Sequence, residues 1–202
     1  ITEDIAVDIG SIAPVINELK RIFTKRKFHD GVIFGHAKDG NLHFITSVDF
    51  NSDSGIKNYE FMMNDLADLT LNRYNGSLKA EHGTGRNMAP FVETEWGGPI
   101  YEMMWKLKKS IDPNGILNPN VLLSSDPKIH LKNIKKTPLV NKIVDSCVEC
   151  GFCENICPSR GYTFTPRQRI AIMRETQGLT LQIEEEKILQ HGVSDTCVTD
   201  GL

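Results

Sequence analysis

Four cysteines fall within eleven residues, Cys147-x-x-Cys150-x-x-Cys153-x-x-x-Cys157, with Pro158 directly behind the last. Loops this short return each thiolate to a different iron, so the run suits a 4Fe–4S cubane. Structural zinc is the competing use, although it draws more often on two separated pairs than on one compact run. A fifth cysteine, Cys197, stands alone, and the first 146 residues contain none. An odd number crowded at one end makes a poor disulfide framework and points to a cofactor module in a reducing compartment. Cys197 reads as the first ligand of a second motif lying beyond Leu202. Cys157 and Cys197 would then serve one cluster, and Cys147, Cys150 and Cys153 another. Segment 143–202 is expected to be the start of an all-α, truncated 4Fe–4S domain.

Residues 1–123 have a different character, mixing α and β patterns. An extended stretch, Asp4 to Ile9, precedes apolar residues at helical spacings of three and four, Ile12, Val15, Ile16, Leu19, Ile22 and Phe23. Two apolar runs come next, 31–37 and 42–50, separated by Lys38-Asp39-Gly40-Asn41, and Asp-Gly between such runs signals a hairpin. Helical patterns recur over 55–73 and at about 97–110, with a Gly-rich stretch, 76–87, between them and a turn at Asp112-Pro113-Asn114-Gly115. Residues 124–142 hold Pro127, Pro138 and, from Lys128 to Lys142, five lysines and no acid. They read as a solvated basic connector, with a docking patch for an acidic partner or anionic lipid as the alternative. Thr165-Pro166-Arg167-Gln168 supplies an N-cap, a proline at the first helical position and a capping-box glutamine. A last helix is expected from about 180 to Gln190, ending at Gly192.

The hairpin carries the most informative pair. If Asp39 and Gly40 form a two-residue turn, His36 faces His43 across the ladder, where directly opposed Cβ atoms lie roughly 4.5–5.5 Å apart. Two imidazoles that close can share one metal ion, and neutral imidazole suits Zn, Mn or Fe. Two polar residues satisfied by hydrogen bonds at a sheet end would look the same in sequence. A third ligand is available in Ala80-Glu81-His82-Gly83-Thr84-Gly85-Arg86, where Glu81 offers a carboxylate and His82 a group that titrates near neutrality. Alone, that segment is a glycine-rich loop; beside His36 and His43 it completes a two-His-one-carboxylate set with an adjacent base.

With 202 residues, 40% hydrophobic and 24% charged, the chain has an ordinary globular composition, and its net charge of -3 argues against a nucleic-acid binder. No apolar run approaches the roughly 18–20 residues that span a bilayer, and the opening Ile-Thr-Glu-Asp carries no signal prefix. A chain that does not begin with Met is expected to be a piece of a longer parent.

The order of three motifs then identifies a family. His36-Ala37-Lys38-Asp39-Gly40-Asn41-Leu42-His43, Glu81-His82-Gly83-Thr84-Gly85, and Asp112-Pro113-Asn114-Gly115-Ile116-Leu117-Asn118-Pro119 resemble the C-terminal region of FAD-linked oxidases of the D-lactate dehydrogenase, glycolate oxidase and D-2-hydroxyglutarate dehydrogenase group. With the cysteine run behind them, they are similar to the large bacterial members fused to a helical ferredoxin domain. Lys38 departs from the family pattern, which usually has Gly there. The resemblance implies an α+β ferredoxin-like cap with an antiparallel sheet over 1–123, then the ferredoxin domain. It implies His36, His43 and Glu81 as ligands of a divalent metal, His82 as general base, and Asn41 and Asn118 near substrate or flavin.

The reaction that the resemblance implies is FAD-dependent, metal-assisted oxidation of a D-2-hydroxyacid to the 2-oxoacid, with electrons leaving through iron–sulfur clusters to a quinone or an electron-transfer protein. The flavin would be bound mainly by a domain ahead of Ile1, so the chain alone is expected to be inactive. A cytoplasmic protein, or one peripheral on the inner membrane, is expected. Two other readings use the same residues. A metal-dependent hydrolase would activate water at His36, His43 and Glu81, and a non-enzymatic iron–sulfur electron-transfer subunit would need no metal there.

Overall fold

The computed structural model describes residues 1–198. The chain divides into two compact units, the first spanning Ile1–Lys135 and the second beginning at Lys136.

In the first unit β1 (Thr2–Ala6), α1 (Ile12–Arg26), β2 (Val32–His36), β3 (Asn41–Ile45) and α2 (Asp53–Ala67) succeed one another in order. The strands form one antiparallel sheet in the order β1-β3-β2, so β3 is central. This is the α+β class with an antiparallel sheet that was expected. Element order and strand order match the first five elements of a ferredoxin-like βαββαβ unit. In place of the sixth, the outer edge of β1 makes a single antiparallel bridge, Ala6 to Ser77, with N–H···O distances of 2.9 and 2.8 Å.

Alternation along each strand divides the sheet into two faces. Ile5, Leu42 and Phe44 point to one and are buried there by α1 (Val15, Leu19, Ile22, Phe23) and α2 (Tyr59, Met62, Met63, Leu66). Phe23 meets Phe44 edge-on at 5.3 Å. Each such side chain stabilises the unit by roughly 1.5–3 kcal/mol, so this face is the core. The other face carries Asp4, Asn41, His43, Phe34 and His36, and the helices leave it free for chemistry.

The hairpin tip corrects the expected pairing. Ala37–Asp39 form a 3-10 turn closed by Gly40 at φ 69°. His36 therefore pairs with Asn41, and Phe34 with His43. The reason is local packing: the amide of Val7 donates to the Gly40 carbonyl at 2.9 Å, and a Cβ on Gly40 would lie 2.0 Å from the Val7 carbonyl oxygen. The turn takes Ala37 and Lys38 from the β2 side and none from β3, so the register slides by two residues, strand parity survives and His36 stays on the face of His43. Lys38 lies inside the right-handed turn, where a side chain costs nothing, so its departure from glycine is harmless.

The helical path of α2 continues as a π turn, Asp68–Arg73, and is followed by the glycine-rich loop, α3 (Val92–Trp96) and α4 (Gly98–Ile111). The stretch expected as a basic connector, 124–142, is not uniform. Ser124, Ile129 and His130 are buried, His130 lies near the rings of Tyr59 and Phe91, and Arg86 donates to the carbonyls of Ile129 and Lys132. Its first half packs as part of the first unit because Ile129 and Leu131 supply apolar surface that the lysines do not.

The second unit contains α5 (Pro166–Glu175) and α6 (Ile183–Leu189). α5 starts with the expected capping box between Thr165 and Gln168. The path of α6 runs on through a π turn to Asp195 rather than stopping at Gly192. Buried Arg169 holds it there, donating to the carbonyls of Gly192 and Val193 at 2.6 Å each. Among the described residues this unit has no strand beyond an isolated bridge between Arg160 and Thr163. The last four residues of the expected 143–202 segment lie outside the described residues. No helix among the described residues is long and apolar enough to cross a membrane.

Candidate functional site

The site is built on the free face of the sheet, at its centre. His43, 3% exposed, sits on β3 between the ring of Phe34 (centroids 5.2 Å, 29°) and the ring of His82 (4.7 Å, 23°). Stacked between two rings, it has little freedom to turn. His36 approaches from β2 with its ring at 5.3 Å and nearly perpendicular, at 87°.

Glu81 and His82 come from the glycine-rich loop, which reaches the sheet because Ser77 is bridged to Ala6 and because a buried carboxylate on β1 collects its backbone. Asp4 Oδ2 accepts three successive amides, from Ala80 at 3.0 Å, Glu81 at 2.7 Å and His82 at 3.3 Å. Burial alone would push the Asp4 carboxyl up; these amides and the Lys79 ammonium outweigh it and hold it below the usual carboxylate range. Lys79 bonds Glu3, and burial of that carboxyl pushes its pKa up against the lysine's opposing charge.

Three imidazoles surround one carboxylate oxygen. Glu81 Oε1 lies 2.8 Å from His43 Nε2, 3.3 Å from His36 Nε2 and 3.4 Å from His82 Nε2. One donor atom from each of His36, His43 and Glu81 falls within 4.8 Å of the others. Two imidazoles and a carboxylate are a donor set for a divalent transition-series ion, with Zn, Mn and Fe all chemically suited. His43 anchors the set from inside, while the side chains of His36, Glu81 and His82 are 58%, 47% and 45% exposed and leave an open side for a substrate. The residues present fit such an ion.

Asn41, one row along β3 from His43, is buried with its Oδ1 unpartnered. Asn118 lies on the loop after α4, in a left-handed conformation at φ 42°. Its loop is tied to the glycine-rich loop by the Leu122 amide, which donates to the Gly85 carbonyl at 3.1 Å.

The five cysteines are free thiols, with Cys150 and Cys197 exposed and Cys147, Cys153 and Cys157 partly so. Among the described residues, the donor sets within 4.8 Å are centred on His43, and the cysteines form none. Buried Arg174 orders the start of the cysteine run, donating to the carbonyls of Cys147 at 2.8 Å and Val144 at 3.2 Å and to Glu149 at 3.2 Å. A groove of about 710 Å³ between Ile172, Leu181 and Val193 also lies on this unit, yet it carries no convergent donor set. The chemistry marks the site at the sheet, not the cavity.

Asp4 and Arg174 escaped the sequence reading. An aspartate inside a strand is itself a signal, because Asp is disfavoured there unless something holds it. Arg174 offered none.

Residues 1–122 match the family described as FAD linked oxidases, C-terminal domain. The chain is 31% identical over 124 residues to a D-2-hydroxyglutarate dehydrogenase of Stutzerimonas stutzeri, covering 60% of this chain and 27% of that protein. It is 30% identical over 130 residues to the glycolate oxidase subunit GlcD of Bacillus subtilis, covering 63% and 27%. A D-2-hydroxyglutarate dehydrogenase of Haemophilus influenzae is 27% identical over 197 residues, 86% of this chain and 19% of that protein. So long a match on a 202-residue chain runs across the cysteine stretch as well as the sheet. The chain thus spans about a quarter or less of the length of these relatives. Sheet, glycine-rich loop and the match over 1–122 agree, and the chain belongs to the FAD-linked oxidases, as a C-terminal domain of that family.

Proposed function

We propose that this chain supplies the metal-holding and proton-accepting half of an FAD-dependent D-2-hydroxyacid dehydrogenase, acting on a D-lactate or D-2-hydroxyglutarate type of substrate. The observation that carries the reading is the convergence of His36, His43 and Glu81 within 4.8 Å, with His82 stacked on His43. A hydroxyacid presents a carboxylate and a 2-hydroxyl on adjacent carbons, a chelating pair suited to an ion with an open side.

His36, His43 and Glu81 hold a divalent ion which, when bound, supplies Lewis acidity that lowers the pKa of the substrate hydroxyl. FAD supplies the hydride acceptor that no side chain can. His82 accepts the hydroxyl proton. Its ring is held by the stack on His43, and its exposed edge is open to the substrate. A well-placed base of this kind contributes roughly 10²–10⁴-fold. Asn41, one row away with its buried Oδ1 unpartnered, is assigned to orienting substrate or flavin.

The cysteine spacing supports a further role for the second unit: Cys147, Cys150, Cys153 and Cys157 bind 4Fe–4S clusters, with Cys197 contributing to a second motif, and pass electrons to a quinone or electron-transfer protein.

The test is a dye-reduction assay on a protein carrying this chain together with the flavin-binding part of its relatives. D-2-hydroxyacids should reduce the dye and their L-enantiomers should not. A preparation replete in FAD and metal that oxidises no D-2-hydroxyacid overturns the proposal.

A further inference from the structure

We infer that Asp4 is the positioning residue of the site: one oxygen fixes the loop that carries Glu81 and His82, and the other takes up the Nδ1–H of His43 when that ring holds an ion. The inference rests on the proposed metal site at His36, His43 and Glu81. The loop half of it lies in the three amides of residues 80–82 that converge on Asp4 Oδ2. The second half comes from two orphans. Asp4 Oδ1 and His43 Nδ1 are both buried and both without a partner. They belong to residues directly opposed across the β1–β3 ladder, on the same face, with Asp4 entirely buried and His43 3% exposed.

Unpaired buried polar atoms are costly, and a donor and an acceptor that face each other remove both costs at once. One donor atom each from Asp4, His43 and His82 lies within 4.8 Å of the others. The cationic and imidazole nitrogens within 4.0 Å of Asp4 Oδ1 are Lys79 Nζ at 3.6 Å and His82 Nδ1 at 3.9 Å, and the bond to His43 Nδ1 is one that ion binding completes. Lys79 is already committed to Glu3, and half-exposed His82 reaches water, so His43 has the greatest need of this acceptor. When Nε2 of His43 serves a metal, its proton resides on Nδ1, and a carboxylate behind it fixes the ring and raises its basicity. One carboxylate on β1 thereby sets the positions of His43, Glu81 and His82.

Asp4→Asn separates the two halves. The amide oxygen can still collect the loop amides, but the NH₂ group turns a donor toward a donor at His43. The experiment titrates Mn²⁺ and Zn²⁺ calorimetrically into the intact chain and its Asp4→Asn, Asp4→Ala and His36→Ala variants, with melting temperatures and amide exchange recorded alongside. Asp4→Asn should keep the melting temperature and the protection of residues 80–82 yet bind metal about 10–100-fold more weakly. Asp4→Ala should in addition speed exchange at Ala80, Glu81 and His82 by about tenfold or more. Wild-type metal affinity in a folded Asp4→Asn overturns the inference, with His36→Ala confirming that the ion measured is the one at this site. A wild-type chain that takes up neither ion sinks the metal reading instead. The exchange data then decide the loop half, and unchanged protection in Asp4→Ala overturns it.

Discussion

His36 and His43 sit diagonally across the β2–β3 ladder, His36 opposite Asn41 and His43 opposite Phe34, with ring centroids 5.3 Å apart. The diagonal separates their roles, because His43 is locked between two rings while His36 closes the set from the solvent side. His36→Ala and His43→Ala should both abolish metal binding. Only His43→Ala should lower the melting temperature as well, since it empties a buried site. Elemental analysis showing wild-type metal content in either variant refutes the ligand assignment.

His82→Ala should leave the metal in place and slow substrate oxidation by roughly 10²–10⁴-fold in a flavin-bearing protein. Steady-state rates measured beside metal content decide it. Activity within a fewfold of wild type would remove His82 from the base role.

Gly40→Ala should destabilise the first unit by about 2 kcal/mol or more, because it demands a positive φ and places a Cβ 2.0 Å from a backbone oxygen. Urea unfolding measures this. A loss below about 0.5 kcal/mol would mean that the turn is not held against Val7.

His130 should make the first unit sensitive to mild acid. Burial lowers its pKa from 6.5, opposed by Glu60 and Asp126 and assisted by Lys128, while Tyr59 and Phe91 present rings to it. The unfolded chain therefore binds this proton first as the pH falls. The stabilisation is complete above about pH 6.5 and is lost progressively below it. Comparing unfolding at pH 8 and pH 5.5, His130→Phe should lose less stability than wild type. Equal losses would assign the effect to other groups.

Asp112 acts in a lower window. The Lys108 ammonium, with the amides of Ile116 and Leu117, lowers its pKa to about 2. A carboxylate with a depressed pKa contributes stability that is present above the unfolded value near 3.8 and lost as the pH falls toward 2. Asp112→Asn should flatten the acid limb between about pH 4 and pH 2 and leave the neutral range parallel to wild type. An unchanged acid limb refutes this contribution.

Local patterns were legible residue by residue. Spacings of three and four located α1 and α2, because a helix must turn one apolar stripe inward whatever its partner is. Thr165 and Gln168 announced the start of α5, because capping is a contact between residues three apart. The shared face of His36 and His43 was also readable, since period-two alternation survives any change of turn length by an even number of residues. The length itself was not, because it depends on Val7, more than thirty residues away in sequence, packing against Gly40. For the same reason the sequence could nominate Glu81 and His82 but could not bring them to the sheet. That takes Asp4, 77 residues before Glu81, whose buried carboxylate draws three consecutive amides onto β1. Nearest-neighbour chemistry is written in the chain's order, while the meeting of distant donors is decided when burial makes every unpaired polar atom find a partner.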